Sequence, residues 1–251
     1  MLKEVFILSK NNKDGNDMDF KDKVVVITGG SQGIGKKTAE MFKELGAHVC
    51  LIDLLENEYF QGDIGDKETL IQFAHKVITD YGHVDYIINN AKPLFKGIDE
   101  CSYEEFEYAL RVGVTAPFML VKLLKPYFNE GASIVNISSS RDAMSQAQSE
   151  SYTAAKGGIH ALTHALAISL AGIARVNSIS PGWIETTDKK YEGSDVLQHP
   201  VKRVGRCEDI AEMILFLCSE KAGFITGENI KIDGGMSKLM IYHDEDGWKY
   251  Q

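Results

Sequence analysis

Short runs of β-branched residues alternate with longer helical patterns along most of this chain, and this alternation limits the folds open to it. The run KVVVITGG (23–30) is typical of a buried strand that enters a glycine turn, and an amphipathic helix over 35–46 follows it. The remaining elements are predicted as strands at 47–53, 58–62, 84–89, 132–138, 174–180 and 229–233, and as helices at 67–81, 103–128, from 151 onward and at 207–219. Strands that alternate with helices favour a parallel sheet covered on both faces. We therefore predict a single α/β domain with a doubly wound, seven-stranded parallel sheet.

The connection after the second predicted strand is short. Only residues 54–58 separate Asp53 from Tyr59, whereas a crossover between neighbouring parallel strands usually takes about a dozen residues or more. We expect the crossover helix to be missing or reduced to a loop, which would leave one flank of a nucleotide site beside that strand open.

A glycine-rich turn lies between the first strand and the first helix. The segment TGGSQGIG places Gly29, Gly33 and Gly35 there. Glycines allow a tight turn and a close approach of the backbone to a pyrophosphate, and the amides at the start of the following helix attract that group. The position of the turn predicts a nucleotide site at the carboxyl end of the sheet.

Asp53 ends the second strand, where its carboxylate can accept hydrogen bonds from both ribose hydroxyls and repel a 2′-phosphate. The neighbouring Gln32 and Leu54 carry no positive charge, so the sequence favours NAD over NADP. Lys36 and Lys37 are the nearby cations that could weaken this inference. The alternative role for Asp53 is that of a strand-end cap.

Tyr152 and Lys156 lie four residues apart near the start of an alanine-rich helix, and this spacing puts both side chains on one face. A nearby ammonium favours the phenolate and lowers the pKa of a tyrosine. Bringing that pKa from about 10 to about 7 requires roughly 4 kcal/mol, more than a partly solvated lysine supplies, so a positively charged bound cofactor would have to add the rest. The alternative is a half-buried tyrosine and a surface lysine on an ordinary helix.

Five motifs in order give the chain a resemblance to the short-chain dehydrogenase/reductase family, in its single-domain branch. They are the glycine turn, NNA (89–91), Tyr152, Lys156 and PGWIET (181–186), and the resemblance covers about residues 20 to 237. It implies a Rossmann-like fold and hydride transfer between a nicotinamide and a secondary alcohol or ketone, with Tyr152 as general acid and base. The substrate expected from the mixed aromatic and polar lining is small and polar, sugar-like or ring-shaped.

The resemblance also implies roles for individual residues. The family's spacing selects Ser139 as the serine that hydrogen-bonds the substrate oxygen, so the predicted catalytic residues are Ser139, Tyr152 and Lys156. Asp63 and Ile64 would flank the adenine, Asn89 would order the central strand and the cofactor, and 181–186 would hold the carboxamide. The full predicted cofactor site is Gly29, Ser31, Gln32, Gly33, Ile34, Gly35, Asp53, Asp63, Ile64, Asn89, Ala91, Tyr152, Lys156, Pro181, Gly182, Ile184 and Thr186. The candidate substrate contacts are Lys92, Arg141 and Trp183, and no metal is expected.

Two positions depart from the family's pattern. Gly113 stands where family members usually carry an asparagine that joins the lysine to a proton-relay water, so the relay must use backbone groups or another residue. Lys92 replaces the usual glycine of the NNAG motif, and its side chain could reach an anionic substrate, a cofactor phosphate or only solvent. A protein that binds NAD without turnover, a sensor or scaffold, is therefore the alternative function.

Composition and charge restrict the partners and the compartment. The net charge of -9 is spread along the chain and forms no basic stripe, which argues against nucleic acid. The four cysteines form no C-x-x-C pair, and the apolar runs are much shorter than the roughly 20 residues that cross a bilayer. We expect a cytoplasmic protein without a membrane partner, and the resemblance implies a homotetramer or homodimer.

The predicted organisation is a flexible arm at 1–19, a dehydrogenase domain at 20–237 and a tail at 238–251. The arm is polar and rich in turn-forming residues, and Met18 is a possible alternative start. His160 and His164 have a spacing that can hold zinc, but the glutamate of an H-E-x-x-H motif is absent, so surface or subunit-interface positions are preferred. Trp183, Tyr191 and His199 occupy the position of the family's substrate lid.

Overall fold

The computed structural model describes residues 18–242 and 244. Residues 1–17 of the predicted arm lie outside the described residues, as do 243 and 245–251 of the predicted tail. Within the described ranges, no helix is both long and apolar enough to span a bilayer.

Seven parallel strands form the main sheet, in the order β3-β2-β1-β4-β5-β6-β9, which confirms the predicted doubly wound fold. Two further short strands, β7 and β8, pair with each other. The strands in the described part of the chain are β1 (Val24–Thr28), β2 (His48–Asp53), β3 (Phe60–Gln61), β4 (Val84–Asn89), β5 (Phe128–Ile137), β6 (Ala174–Pro181), β7 (Ile184–Glu185), β8 (Gly205–Arg206) and β9 (Asn229–Ile232). The strand order reverses beside β1, where β4 pairs on the side opposite β2, and a ligand crevice is expected at that point.

The helices cover both faces of the sheet. Those in the described part of the chain are α1 (Gly33–Glu44), α2 (Lys67–Tyr81), α3 (Tyr103–Leu110), α4 (Ala116–Leu124), α5 (Glu150–Ser169), α6 (Ser194–Leu197) and α7 (Cys207–Cys218). Successive side chains of β1 point to opposite faces: Val24 and Val26 enter one buried cluster, and Val25 and Ile27 enter the other. A strand buried on both faces has no polar side, which explains the continuous apolar run at 24–27.

The long helix predicted over 103–128 is helical from Tyr103 to Tyr127, but the helix type changes within it. A π-helical turn, Arg111–Thr115, separates α3 from α4, and the Ala116 amide bonds to the Arg111 carbonyl across five residues. Pro117 has no amide hydrogen to continue the α-helical pattern. Pro126 then lies in a short 3-10 turn, Lys125–Tyr127, after which β5 begins.

The expected loss of the second crossover helix is confirmed. A loop joins β2 to β3, and hydrogen bonds of the Asn57 side chain hold this loop in place. Its amide nitrogen donates to the Leu55 and Phe60 carbonyls, and its side-chain oxygen accepts from the Tyr59 and Phe60 amides. Leu54 is 61% exposed beside this loop, so the flank of the sheet is open there.

Candidate active site

A cleft of about 520 Å³ opens at the carboxyl ends of the strands, next to the point where the strand order reverses. Most of the residues predicted from the sequence line it. Those that do are Gly29, Gln32, Gly33, Ile34, Asp53, Asp63, Ile64, Ala91, Lys92, Ser139, Tyr152, Lys156, Pro181, Gly182, Ile184 and Thr186. The predicted residues outside the lining are Ser31, Gly35, Asn89, Arg141 and Trp183.

The glycine turn forms one wall of the cleft, and its glycines are required by space as well as by conformation. Gly29 has a φ of +68°, and a Cβ there would lie 2.7 Å from the Ala91 Cα. Gly33 has a φ of +56° and starts α1. Gln32, at the N-cap, makes no side-chain capping bond, and the first turn of α1 holds no acidic residue. The first amides of α1 therefore have no side-chain partner, which fits the binding of a pyrophosphate.

Gly35 lies behind the turn and does not line the cleft. A Cβ at this position would lie 2.1 Å from the Gly29 carbonyl oxygen and 2.4 Å from the Asn90 Nδ2. The glycine is needed for the close packing of α1 on the turn, where a side chain has no room. A contact between its backbone amide and a cofactor stays a prediction.

Two carboxylates line the cleft near the glycine turn. Asp53 Oδ2 accepts from the Ser31 amide at 2.9 Å, and Oδ1 accepts from the Leu55 amide at 3.0 Å. Ser31 thus contributes its backbone to Asp53 and lies outside the cleft lining. Asp63 Oδ1 accepts from the Tyr108 hydroxyl at 3.0 Å, so a side chain from α3 fixes this carboxylate.

Asn90, which the sequence interpretation did not assign to the site, lines the cleft and holds the glycine turn. Its amide nitrogen donates to the Gly29 carbonyl at 2.7 Å and to the Thr28 carbonyl at 3.2 Å. Asn89 is buried and donates to Asn136 at 2.8 Å, which ties β4 to β5. Adjacent side chains on a strand point to opposite faces, and this alternation was the signal that separates the two asparagines.

Ser139, Tyr152 and Lys156 meet at the inner end of the cleft. Tyr152 and Lys156 lie on one face of α5, and the lysine Nζ is 5.5 Å from the centre of the tyrosine ring. Ser139 follows β5 and contacts the tyrosine through its hydroxyl. Ser138 instead donates to the Lys156 carbonyl at 2.9 Å, and Ser140 begins a 3-10 turn, so these two serines have structural roles.

Lys156 is buried rather than partly solvated. Its Nζ donates to the Ile137 carbonyl at 2.6 Å, and only 4% of the residue is exposed. Burial, and then the positive charge of Lys92, lower its pKa to about 7. The expected acidification of Tyr152 by this lysine is not found in the protein alone. Burial raises the pKa of Tyr152, and the contact with Ser139 and the charge of Arg141 act in the opposite direction.

Gly113 lies in the π-helical turn and packs directly against α5. A Cβ at this position would lie 2.7 Å from the Ala155 Cβ and 3.4 Å from Pro93. A larger residue would therefore push α3 away from the helix that carries Tyr152. This backbone has no space for an asparagine at position 113.

The three candidate substrate contacts differ in position. Lys92 lines the cleft. The Arg141 guanidinium lies 4.9 Å above the Phe95 ring, which is itself 5.3 Å from the Tyr152 ring, so Arg141 is at the rim. Trp183 lies outside the lining and packs on Tyr191, with ring centres 4.8 Å apart.

The two histidines on α5 do not form one site. His160 Nδ1 lies 3.0 Å from Asp142 Oδ2, and His164 is exposed. The third lid residue, His199, is buried and has its ring centre 6.3 Å from that of Trp183. The predicted lid residues Trp183, Tyr191 and His199 thus form one cluster.

Comparisons with known proteins agree with this geometry. A family model described as enoyl-(acyl carrier protein) reductase matches residues 29–237. An uncharacterized oxidoreductase of Thermotoga maritima is 38% identical, over 90% of this chain and 100% of its own length. The L-fucose dehydrogenase of Mus musculus is 35% identical, over 86% of this chain and 89% of its own. The apo structure of a SCOR enzyme from Clostridium thermocellum superposes with a TM-score of 0.86 at 42% identity, over 91% of this chain and 98% of that one. The chain is an oxidoreductase that belongs to the short-chain dehydrogenase/reductase family.

Proposed function

We propose that the protein transfers a hydride between NAD and a secondary alcohol or ketone, with Tyr152 as the general acid and base. The observation that carries this proposal is the meeting of Ser139, Tyr152 and Lys156 at the inner end of a cleft whose outer wall is a glycine turn. The family uses nicotinamide cofactors, and its L-fucose dehydrogenase relative supports a small, polar, sugar-like or ring-shaped substrate.

The preference for NAD over NADP rests on Asp53. Its carboxylate lines the cleft beside the glycine turn and is fixed by the Ser31 and Leu55 amides. A fixed negative charge favours two ribose hydroxyls and opposes a 2′-phosphate. The cofactor would lie along the glycine turn, with Asp53 and Asp63 toward the adenine and with Tyr152 and Lys156 toward the nicotinamide.

Tyr152 would hold the proton that the reaction moves. Because burial raises its pKa, its hydroxyl is protonated near neutral pH and is ready to donate to a carbonyl oxygen in the direction of reduction. In the direction of oxidation the phenol must first lose this proton. The bound nicotinamide would accept or release the hydride, and its oxidised form would add the positive charge that favours the phenolate.

Ser139 and Lys156 would assist in different ways. The Ser139 hydroxyl contacts Tyr152 and would donate to the same substrate oxygen. Lys156, with a pKa lowered to about 7, can give or accept a proton near neutral pH. Since position 113 cannot hold an asparagine, we infer that any proton relay from Lys156 runs through another group that can accept and release a proton, such as Lys92, while the Ile137 carbonyl only orients the lysine.

Gly113 also supports the alternative, an NAD-binding sensor or scaffold with little turnover. The two functions are separated by following the absorbance of the reduced cofactor with NAD or NADP and a panel of polyols, sugars, hydroxy acids and steroids. We expect turnover with NAD on at least one member, and a drop of about 10²- to 10⁴-fold in kcat in Tyr152→Phe with an unchanged Kd for NAD. Tight NAD binding without turnover on the whole panel would favour the sensor, and equal losses of kcat and NAD affinity would make Tyr152 structural.

A homo-oligomer, a tetramer or dimer built on the long helices, is also proposed. It is supported by apolar side chains that these helices leave exposed: Phe118 on α4 is 45% exposed and Ile168 on α5 is 80% exposed. Light scattering on the purified protein would count the subunits. The cytoplasm remains the predicted compartment, and all four cysteines are unpaired.

A further inference from the structure

Two positive side chains border the reacting end of the cleft, and neither is explained by the transfer of a hydride alone. Lys92 lines the cleft and is exposed. Arg141 lies at the rim, where its guanidinium covers the Phe95 ring at 4.9 Å, and Phe95 in turn packs against Tyr152. The charge of Arg141 acts on Tyr152, and the charge of Lys92 acts on Lys156.

Arg141 has an unpartnered donor. Its Nη2 donates to the side-chain oxygen of Gln146, but its Nη1 is buried and has no hydrogen-bond partner among the described residues. A buried cationic nitrogen without an acceptor is costly, so such groups are normally matched by an anion. The stacking on Phe95 holds the planar guanidinium in place.

No carboxylate of the described residues neutralises this end of the cleft. Asp142 follows Arg141 in the chain, but its Oδ2 accepts from Ser180 at 3.0 Å and from Asn229 at 2.6 Å and faces His160. The acidic residues in the lining are Asp53 and Asp63, and Asp53 is bonded to the glycine turn, away from Tyr152. The charges that act on the reacting side chains are positive as well. Arg141 acts on Tyr152, and Lys92 acts on Lys156.

We propose that the substrate is a hydroxy acid or the corresponding oxo acid, whose carboxylate is bound by the unpartnered donor of Arg141 while Lys92 supplies a second positive charge in the cleft. This proposal rests on the proposed function and narrows its substrate class. A planar carboxylate matches the geometry of a guanidinium, and such a charge-assisted bond is stronger than a neutral one. In the direction of oxidation, the carbinol carbon gives a hydride to NAD, its hydroxyl gives a proton to Tyr152, and the carboxylate is unchanged.

The test compares acids with neutral partners of the same shape. Probes are 3-hydroxybutyrate and 4-hydroxycyclohexanecarboxylate, each with its primary amide, and galacturonate with galactose and galactose 6-phosphate. For each probe, kcat/KM with NAD is measured, and so is binding to the NAD-loaded protein by calorimetry. We expect at least one acid to exceed its neutral partner by about 10- to 100-fold, the effect of one charge-assisted hydrogen bond.

The same ratio is then measured in Arg141→Gln, in Lys92→Gln and in a control variant, Lys122→Gln. The control removes an exposed lysine on α4, outside the cleft lining. We expect the acid-to-neutral ratio to fall about 10-fold or more in Arg141→Gln, less in Lys92→Gln and not at all in the control. Because the ratio compares two substrates on the same variant, a change in the ionisation of Tyr152 or Lys156 affects both substrates and cancels. A fall of equal size in the control would assign the preference to net charge and overturn the proposal.

Other outcomes distinguish a failure of the carboxylate site from a failure of the proposed dehydrogenase activity. Turnover of neutral alcohols with no preference for any acid overturns the carboxylate site and leaves the dehydrogenase intact. A preference for galactose 6-phosphate over galacturonate overturns it in favour of phosphate recognition. Failure of every probe to bind the NAD-loaded protein also overturns it, whereas failure of the dehydrogenase would appear as absence of turnover on the wider panel and insensitivity to Tyr152→Phe.

Discussion

The two ends of the cleft are opposite in charge and are built by different means. The outer end has two carboxylates, Asp53 and Asp63, beside a turn whose shape is set by glycines. The inner end has the cations Lys92 and Lys156 beside Tyr152. The outer end works through backbone geometry and exposed amides, while the inner end works through side chains whose ionisation is shifted by burial.

This difference predicts different responses to substitution. An added methyl group at the outer end meets backbone atoms and changes the shape of the site. A changed charge at the inner end leaves the shape intact and alters which proton is held at a given pH. Steric and electrostatic variants of comparable size should therefore separate cofactor affinity from pH dependence.

The largest effect on stability is expected at Gly35. In Gly35→Ala the new Cβ would meet the Gly29 carbonyl and the Asn90 side chain, so the turn and α1 must separate. We expect a loss of about 3 kcal/mol in the free energy of unfolding, with a marked loss of NAD affinity, measured by urea denaturation and calorimetry. The matched control is Gly157→Ala on α5, where nothing lies within 4 Å of the new Cβ, and a gain of up to about 1 kcal/mol is expected. Equal destabilisation by both would show that the turn is not specially crowded.

Asp53→Ala tests the charge of the outer end. The variant removes the acceptor proposed for the ribose hydroxyls and the repulsion of a 2′-phosphate, so we expect the Kd for NAD to rise about 10- to 100-fold with little change for NADP. Both constants are measured by calorimetry. Asp53→Asn keeps one acceptor oxygen and should weaken NAD less than Asp53→Ala. Unchanged affinity for both cofactors in Asp53→Ala would return this residue to a strand-end role for the Ser31 and Leu55 amides.

The sequence predicted those parts of the fold that depend on local signals. The helix at 67–81 matches α2 because Asp66 caps its start and Gly82, with a φ of +76°, ends it. The strand at 84–89 matches β4, whose six residues are all buried. The π-helical turn at Arg111–Thr115 was missed because its cause combines Pro117 with the packing of Gly113 on Ala155, a contact between segments far apart in sequence.

The residues of the site were predictable from the sequence, but the ionisation of their side chains was much less so. Motif spacing located Ser139, Tyr152 and Lys156, which do meet in the cleft. The burial of Lys156, its bond to the Ile137 carbonyl and the resulting fall in its pKa depend on how α5 packs on β5, which spacing does not encode. The reversal of the expected pKa shift of Tyr152 has the same origin.

Lys156 makes the free energy of unfolding of the protein depend on pH. Its pKa is lowered to about 7 in the folded protein, and it is near 10.5 when unfolded, so between these values the unfolded chain binds a proton that the folded protein does not. Stability from this group therefore rises with pH above about 7 and is constant below it. We expect the free energy of unfolding of the wild type, relative to Lys156→Met, to rise by about 2 kcal/mol between pH 7 and pH 9. Urea denaturation of both proteins at fixed protein concentration measures this difference, and a flat difference would mean that the lysine stays charged in the fold.

The smallest effect is expected from Lys92→Gln, which changes the charge of the inner end without filling or emptying it. Lys92 is the second cause of the lowered pKa of Lys156, after burial, so removing its charge should raise that pKa by less than burial has lowered it. The rise in stability with pH should then begin at a higher pH than in the wild type, by about one pH unit or less because Lys92 is exposed and screened by water. The measurement is the same difference against Lys156→Met, made in the Lys92→Gln background, with Lys122→Gln as the charge-matched control. If the pH dependence of this difference is the same as in the wild type, burial alone sets the ionisation of Lys156. Packing, rather than charge, would then determine the properties of both ends of the cleft.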